Sequence, residues 1–110
     1  MIEKIVLQYL NTVLDVPAYM EMPEKPPPQF VLVEKTGSST ENHIESAILA
    51  LQSYAGSLYL AAKLNEKVKK AMDNIAALTD ISKSKRNTDY NYTDTARKQY
   101  RYQAVYDLVY

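Results

Sequence analysis

The sequence predicts an α+β domain in which two helices pack on one face of a mostly antiparallel sheet, in the order α-β-β-β-α-β-β. Two segments space their apolar residues by three and four, as amphipathic helices do, and the last segment alternates in the way of a strand. The length of 110 residues suits a single core, so residues 1–110 are expected to form one domain.

The first helix is predicted from residue 2 to residue 14. Its apolar side chains share one stripe, made of Ile2, Ile5, Val6, Tyr9, Leu10, Val13 and Leu14. Pro17 ends the helix, because proline lacks an amide donor and restricts the residue before it. Residues 18–22 can form a short strand, and the prolines between 23 and 28 indicate a stiff, extended connector.

Two strands are predicted around a polar loop. Residues 30–35 are rich in branched and aromatic side chains, which indicates a strand that is buried on both faces and central in the sheet. Residues 36–42 (Thr-Gly-Ser-Ser-Thr-Glu-Asn) are polar and indicate a loop. Residues 43–54 fit a helix as well as a strand. We expect a strand, because Gly56 separates this segment from the next helix and because it can pair with residues 30–35.

The second helix is predicted to begin after Ser57, a good N-terminal cap, and to run to about Leu78. Its buried stripe comprises Leu60, Leu64, Val68, Ala71, Met72, Ile75 and Leu78. A closing hairpin is predicted from residues 81–92, a turn at 93–95 and a strand over 97–110. The strand is indicated by a period of two, in which one alternating set of side chains is Tyr100, Tyr102, Ala104, Tyr106, Leu108 and Tyr110.

Composition narrows the classes of function. The 13 basic and 13 acidic side chains cancel, so bulk charge cannot hold a nucleic-acid backbone or an anionic membrane. The apolar runs are far shorter than the ~20 residues of a membrane span, and the start of the chain lacks the pattern of a secretory signal. We expect no membrane contact, and the lack of cysteine suits the cytoplasm.

Residues suited to catalysis or to cofactor binding are scarce. His43 is the only histidine, so a catalytic triad or a multi-histidine metal site would need another chain. Gly37 and Gly56 are the only glycines and cannot build a phosphate-binding loop. Residues 89–94 begin like a calcium loop but lack its sixth-position glycine and its twelfth-position glutamate. The sequence predicts no enzyme, no metal and no cofactor.

One segment leaves a nucleic-acid-binding interpretation open. Residues 83–86 (Lys-Ser-Lys-Arg) lie near Tyr90 and Tyr92, a mixture that can bind single strands, although a solvated strand face with half-buried tyrosines explains the same residues. The chain has 10 tyrosines and no tryptophan. Tyrosine suits surfaces that become buried when subunits meet, which makes Tyr90, Tyr92, Tyr100 and Tyr102 candidate interface residues.

Five segments carry a resemblance to a known family. They are residues 30–37 (Phe-Val-Leu-Val-Glu-Lys-Thr-Gly), 41–44 (Glu-Asn-His-Ile), 51–57 (Leu-Gln-Ser-Tyr-Ala-Gly-Ser), 89–94 (Asp-Tyr-Asn-Tyr-Thr-Asp) and 100–107 (Tyr-Arg-Tyr-Gln-Ala-Val-Tyr-Asp). Together they resemble the small tail-completion, or tail-terminator, proteins of long-tailed bacteriophages and of prophages of Gram-positive bacteria. The resemblance covers nearly the whole chain, and no short catalytic motif anchors it.

The resemblance implies a structural role. Members of this family assemble as rings, usually hexamers, on the last ring of the tail tube, where they stop tube polymerisation and join the tail to the head connector. The implied partners are further copies of the chain, tail-tube protein and head connector protein, with incidental contact to DNA in the lumen. The implied location is the virion, after assembly in the host cytoplasm.

The polar loop is the candidate contact segment within this resemblance. It is expected to become ordered on contact with the tube or with DNA in the lumen, and it comprises Gly37, Ser38, Ser39, Thr40, Glu41 and Asn42. Two alternatives stay open: another neck component, such as a connector or head-closure subunit, and a small nucleic-acid-binding module that uses residues 83–92.

Overall fold

The helices and strands of the computed structural model, which describes residues 1–78 and 80–110, belong to the α+β class. In chain order they are α1 (Ile2–Val13), β1 (Ala18–Tyr19), β2 (Phe30–Glu41), β3 (Ile44–Ala55), α2 (Leu58–Asp73), a 3₁₀ helix (Ile75–Ala77), β4 (Lys83–Asn91) and β5 (Tyr100–Val109). The predicted class is therefore confirmed. The order differs from the predicted one by the short 3₁₀ helix between α2 and β4.

The strands form one sheet in the order β1-β2-β3-β5-β4. All neighbouring pairs are antiparallel except β1 and β2, which run parallel over Ala18↔Val31 and Tyr19↔Leu32. The centre of the sheet is thus β3, which pairs with β2 on one side and with β5 on the other. The prediction that residues 30–35 form the central strand was wrong, because the long hairpin places β2 next to the edge.

Both helices pack on the same face of the sheet. From the helices, the core receives Ile2, Val6 and Leu10 of α1 and Leu64, Val68 and Met72 of α2. From the strands, it receives Val31, Val33, Ala47, Leu49, Leu51, Ala104, Tyr106 and Leu108. We call this side of the sheet the helix face. The predicted stripes are confirmed except at their ends, where Val13 and Leu60 are exposed.

The second helix begins as predicted and ends earlier. The backbone amide of Leu60 donates to the Ser57 hydroxyl oxygen at 3.2 Å, which satisfies one of the free donors of the first turn. The helix stops at Asp73 rather than near Leu78, and the side chain of Asn74 donates back to the carbonyl of Lys70 at 2.8 Å. Asparagine side chains compete with the helical backbone for such partners, and the chain tightens into the 3₁₀ helix.

The polar segment 36–42 is not the loop that its composition indicates. β2 continues to Glu41, and the connection to β3 consists of Asn42 and His43 alone, with φ angles of 50° and 65°. Two consecutive positive φ angles are typical of the type I′ hairpin turn, whose twist matches that of the strands. Residues 43–54, ambiguous in the sequence, form strand β3 from Ile44 to Ala55, as we expected.

Replacing His43 by glycine is predicted to stabilise the protein by about 0.5–1 kcal/mol. A side chain in the left-handed region costs about 1–2 kcal/mol, and glycine avoids this cost while losing somewhat more chain entropy on folding. The midpoint of urea unfolding measures the change, with Asn42→Ala as the matched control that should destabilise. A His43→Gly variant that is less stable than the parent would contradict the two-residue turn.

Candidate functional site

Neither of the α-helices in the described residues, 1–78 and 80–110, covers the second face of the sheet. Alternation along the strands sends every other side chain to this side, which we call the open face. Its members are Phe30, Leu32, Glu34, Ser39 and Glu41 of β2; Ile44, Ser46, Ile48, Ala50, Gln52 and Tyr54 of β3; Arg101, Gln103, Val105, Asp107 and Val109 of β5; and Lys83, Lys85, Thr88 and Tyr90 of β4. The open face is therefore a broad surface of mixed polarity.

A row of aromatic rings crosses one end of the open face. The rings of Tyr19 and Phe30 meet edge to face with centroids 6.1 Å apart, and the rings of Phe30 and Tyr54 stack at 4.7 Å. Phe30 and Tyr54 are buried although neither belongs to the core under the helices. The two rings stack on each other, and residues of the connector between β1 and β2 line a surface pocket together with both, so the open face has a small apolar cluster of its own.

Arg101 extends this row across β5 towards β4. Its guanidinium carbon lies 5.6 Å from the ring centre of Tyr54 and 4.6 Å from that of Tyr92, within cation–π range of both. It also donates to the Tyr54 hydroxyl at 2.9 Å and to the Tyr92 carbonyl at 2.7 Å. The Tyr92 ring meets that of Tyr90 edge to face at 5.9 Å. We call the row Tyr19, Phe30, Tyr54, Arg101, Tyr92 and Tyr90 the aromatic stripe.

A chain of hydrogen bonds runs beside the stripe. The Tyr54 hydroxyl donates to Gln52 at 3.0 Å, Gln52 donates to Gln103 at 2.8 Å, and Gln103 donates to the Tyr90 hydroxyl. Together with Arg101, these groups link β3, β5 and β4 through side chains alone. Such a connected network fixes side-chain positions better than separate bonds do, so this part of the open face is rigid before any partner arrives.

β4 is attached to α2 by a partly buried ionic cluster on the helix face. Lys69 lies 2.9 Å from Asp89 and 2.8 Å from Glu66, and Asn65 donates to Asp89 at 3.0 Å. The hydrogen bond from Lys69 holds the pKa of Asp89 below its usual value, and the bonds to Glu66 and Asp89 raise the pKa of Lys69. Both groups thus stay charged at neutral pH, and β4 keeps a fixed position.

Both sides of the sheet end in unpaired backbone. β1 covers β2 only at Val31 and Leu32, and Val33 is buried, so residues 34–41 form an open edge. β4 pairs with β5 on one side and with no described strand on the other. Unpaired strand edges are templates for pairing with another chain, so the two edges join the open face as candidate contact surfaces.

The predicted site residues fall in three places. Tyr90 and Tyr92 lie in the aromatic stripe and are about 40% exposed. Tyr100 and Tyr102 alternate with Arg101 and belong to the helix face, where both are half-buried. The segment of Gly37, Ser38, Ser39, Thr40, Glu41 and Asn42 forms the end of β2 and half of the turn. The structure therefore brings together only the first tyrosine pair.

The other members of the aromatic stripe were not among the residues predicted from the sequence. Phe30, Tyr54 and Arg101 are far apart along the chain and meet only through the strand register. One signal was present, since Arg101 stands between two tyrosines in an alternating strand and must point away from them. The alternation therefore predicts which face of the sheet Arg101 lies on, but it does not predict which residues Arg101 contacts.

The described residues contain no group of three or more His, Cys, Asp or Glu side chains that could hold a metal ion. None of the helices in residues 1–78 and 80–110 is long and apolar enough to cross a membrane. A surface cleft of about 490 Å³ between α1 and α2 contains the ion pair Lys67–Asp15 at 3.5 Å, which matches no catalytic arrangement.

Replacing Arg101 by lysine is predicted to cost about 1–2 kcal/mol of stability. Lysine keeps the positive charge, but its ammonium group cannot donate to both the Tyr54 hydroxyl and the Tyr92 carbonyl while it also packs against both rings. Arg97→Lys is the matched control, because Arg97 is 79% exposed in its side chain and meets only Asp94 at 3.9 Å. Urea unfolding of both variants measures the difference, and equal midpoints would show that the stripe does not depend on the guanidinium.

No family model matches the chain, and no curated protein matches it. The resemblance to tail-completion proteins, which rests on segments such as 30–37 and 100–107, therefore stays a prediction. The candidate contact surfaces that the fold leaves open are the aromatic stripe and the two strand edges.

Proposed function

We propose that this protein is a structural subunit that forms a ring at the head-proximal end of a phage tail tube. The ring ends tube polymerisation and joins the tail to the head connector, and the chain performs no catalysis. The observation that carries the proposal is the sheet itself, which is uncovered on one face and unpaired along both sides. Unpaired strand edges are templates for pairing with another chain, and subunits that assemble head to tail use such surfaces.

Exposed apolar side chains on the open face support a role in assembly. Ile44 is 56% exposed and Ile48 is 40% exposed, and both lie on the open face of the long hairpin. Exposed β-branched residues on a strand favour burial by a partner, which is worth about 25 cal/mol per Å² of apolar area. Tyr90 and Tyr92 add aromatic area at the other end of the same face.

The turn of the long hairpin extends beyond the end of β5. β5 pairs with β3 up to Val109↔Ser46, and the Tyr110 amide still donates to the Glu45 carbonyl at 3.0 Å, so only the pair Glu41↔Ile44 and the turn lie beyond it. In the proposed ring, this paired tip touches the tail tube or DNA in the lumen. It is already ordered by its own backbone pairing and by the Ser39–Ser46 hydroxyl contact at 2.8 Å, so contact would cost little ordering entropy.

Single-strand nucleic-acid binding is the second candidate. Lys83, Lys85 and Tyr90 share the open face, and a basic groove with aromatic rings can stack bases. Against this, the Arg101 guanidinium and the Gln103 amide are already bonded within the protein. The balanced charge of the whole chain also provides no long-range attraction for phosphates.

We predict that the purified protein forms a discrete species of about six copies as its concentration rises, since ring closure makes association cooperative. Light scattering on a sizing column measures the mass. In a second arm, tubes polymerised from the tail-tube protein of the same phage should become shorter when this protein is added. A chain that remains monomeric and leaves tube length unchanged would contradict the proposal, and salt-dependent binding of single-stranded DNA would favour the second candidate.

A further inference from the structure

The geometry points to a specific subunit contact, in which the open edge of β2 in one copy pairs antiparallel with the open edge of β4 in the next. This inference rests on the proposed ring and names the surfaces that close it. Residues 34–41 of β2 face residues 83–90 of β4, so that Glu41 lies opposite Lys83 and Lys35 opposite Asp89. Three independent features of the two edges agree on this register.

The first feature is the direction of the backbone groups. Successive residues of an antiparallel strand direct their N–H and C=O groups alternately to the two sides. The outward bond from the amide of Val31 to Pro17 and the inward bond from Tyr92 to Arg101 fix this alternation at one end of each strand. The registers of β2 with β3 and of β4 with β5 then place the outward groups of β2 at Lys35, Ser38 and Thr40, and those of β4 at Ser84, Arg86 and Asp89.

These outward groups coincide when the two edges are aligned. In the stated register Lys35 meets Asp89, Ser38 meets Arg86 and Thr40 meets Ser84. Each is a pair that can exchange two backbone hydrogen bonds. The backbone of both edges is then satisfied along the whole contact.

The second feature is a pair of matching irregularities. β2 shifts its register between Lys35 and Gly37, and β4 shifts between Arg86 and Thr88, because each strand contains one extra residue there. If only one of the two edges had a bulge, the residues that follow it would place their side chains on the opposite face from their partners in the other copy. Here the extra residues, Thr36 and Asn87, fall at neighbouring positions of the contact, so helix-face residues oppose helix-face residues on both sides of the bulges.

The third feature is charge. On the open face, β2 carries the acidic Glu34 and Glu41, while β4 carries the basic Lys83 and Lys85. In the stated register one of these acidic residues, Glu41, has a basic residue, Lys83, directly across the junction. Opposite charges directly across a strand pair stabilise it and like charges destabilise it. Of the possible edge pairings, only that between β2 and β4 sets opposite charges against each other on the open face, because the charges of β2 there are acidic and those of β4 are basic. The edges select a contact between two different surfaces.

A contact between different edges has a consequence for the assembly. β4 runs antiparallel to β2 within one copy, so an antiparallel junction keeps successive copies in the same orientation. Such head-to-tail contacts close into a ring when the rotation between copies allows it. β1 covers the adjoining part of β2 and limits how far the junction can slide.

Charge reversal tests this junction in the full-length chain. Glu41→Lys and Lys83→Glu each place like charges across every contact and should weaken association roughly fivefold per contact. The double variant restores an opposite pair and should recover the ring, as should an equimolar mixture of the two single variants, in which copies alternate. Both residues are exposed, so folding is expected to be unchanged, and urea unfolding checks this.

Glu24→Lys and Lys63→Glu are the matched controls, because they reverse exposed charges that lie outside β2 and β4. Recovery by the double variant and by the mixture supports the junction. A ring whose mass is the same in all variants would overturn the edge pairing while leaving the proposed ring intact. An unmodified chain that stays monomeric, alone and with tail-tube protein, would overturn both.

Discussion

Both helices cover the same side of the five-stranded sheet, and the division between this covered side and the uncovered one governs the molecule. The central strand β3 carries both: Leu49 and Leu51 enter the core beneath the helices, while Gln52 and Tyr54 join the network of the open face. Because β3 is paired on both sides, the two sets of side chains hold fixed positions relative to each other. Burial on the helix face supplies most of the stability, which leaves the open face available for contacts.

The open face is organised before any partner binds. The Arg101 guanidinium lies between two tyrosine rings and donates to Tyr54 and to the Tyr92 backbone, and β4 is held on the other side by Asp89 and Lys69. A surface whose side chains are already fixed loses little entropy on association. This rigidity suits a subunit whose neighbours must meet it at a constant angle, since ring closure depends on that angle.

The sequence predicted what depends on local periodicity and missed what depends on pairing. Both helices and the fold class follow from apolar spacing, whereas residues 36–41 resembled a loop because a strand exposed on both faces has no apolar alternation to detect. The high tyrosine content was enough to predict Tyr90 as a candidate interface residue. The contact of Arg101 with Tyr54 was not predictable, because 47 residues separate them and only the register of β3 and β5 brings them together. The two bulges, which align the edges, have no sequence signal of their own.

The proposed junction joins the edges of β2 and β4 in neighbouring copies, and disulfide cross-linking tests it most directly. The chain has no cysteine of its own, so a Ser39→Cys/Lys85→Cys variant places one thiol on each edge, at a pair whose side chains approach closely in the stated register. We predict that oxidation yields a covalent series of copies that ends in a closed ring. In the Ser38→Cys/Lys85→Cys control the thiols lie on opposite faces and should not link. Monomers only, or equal linking in both variants, would contradict the account.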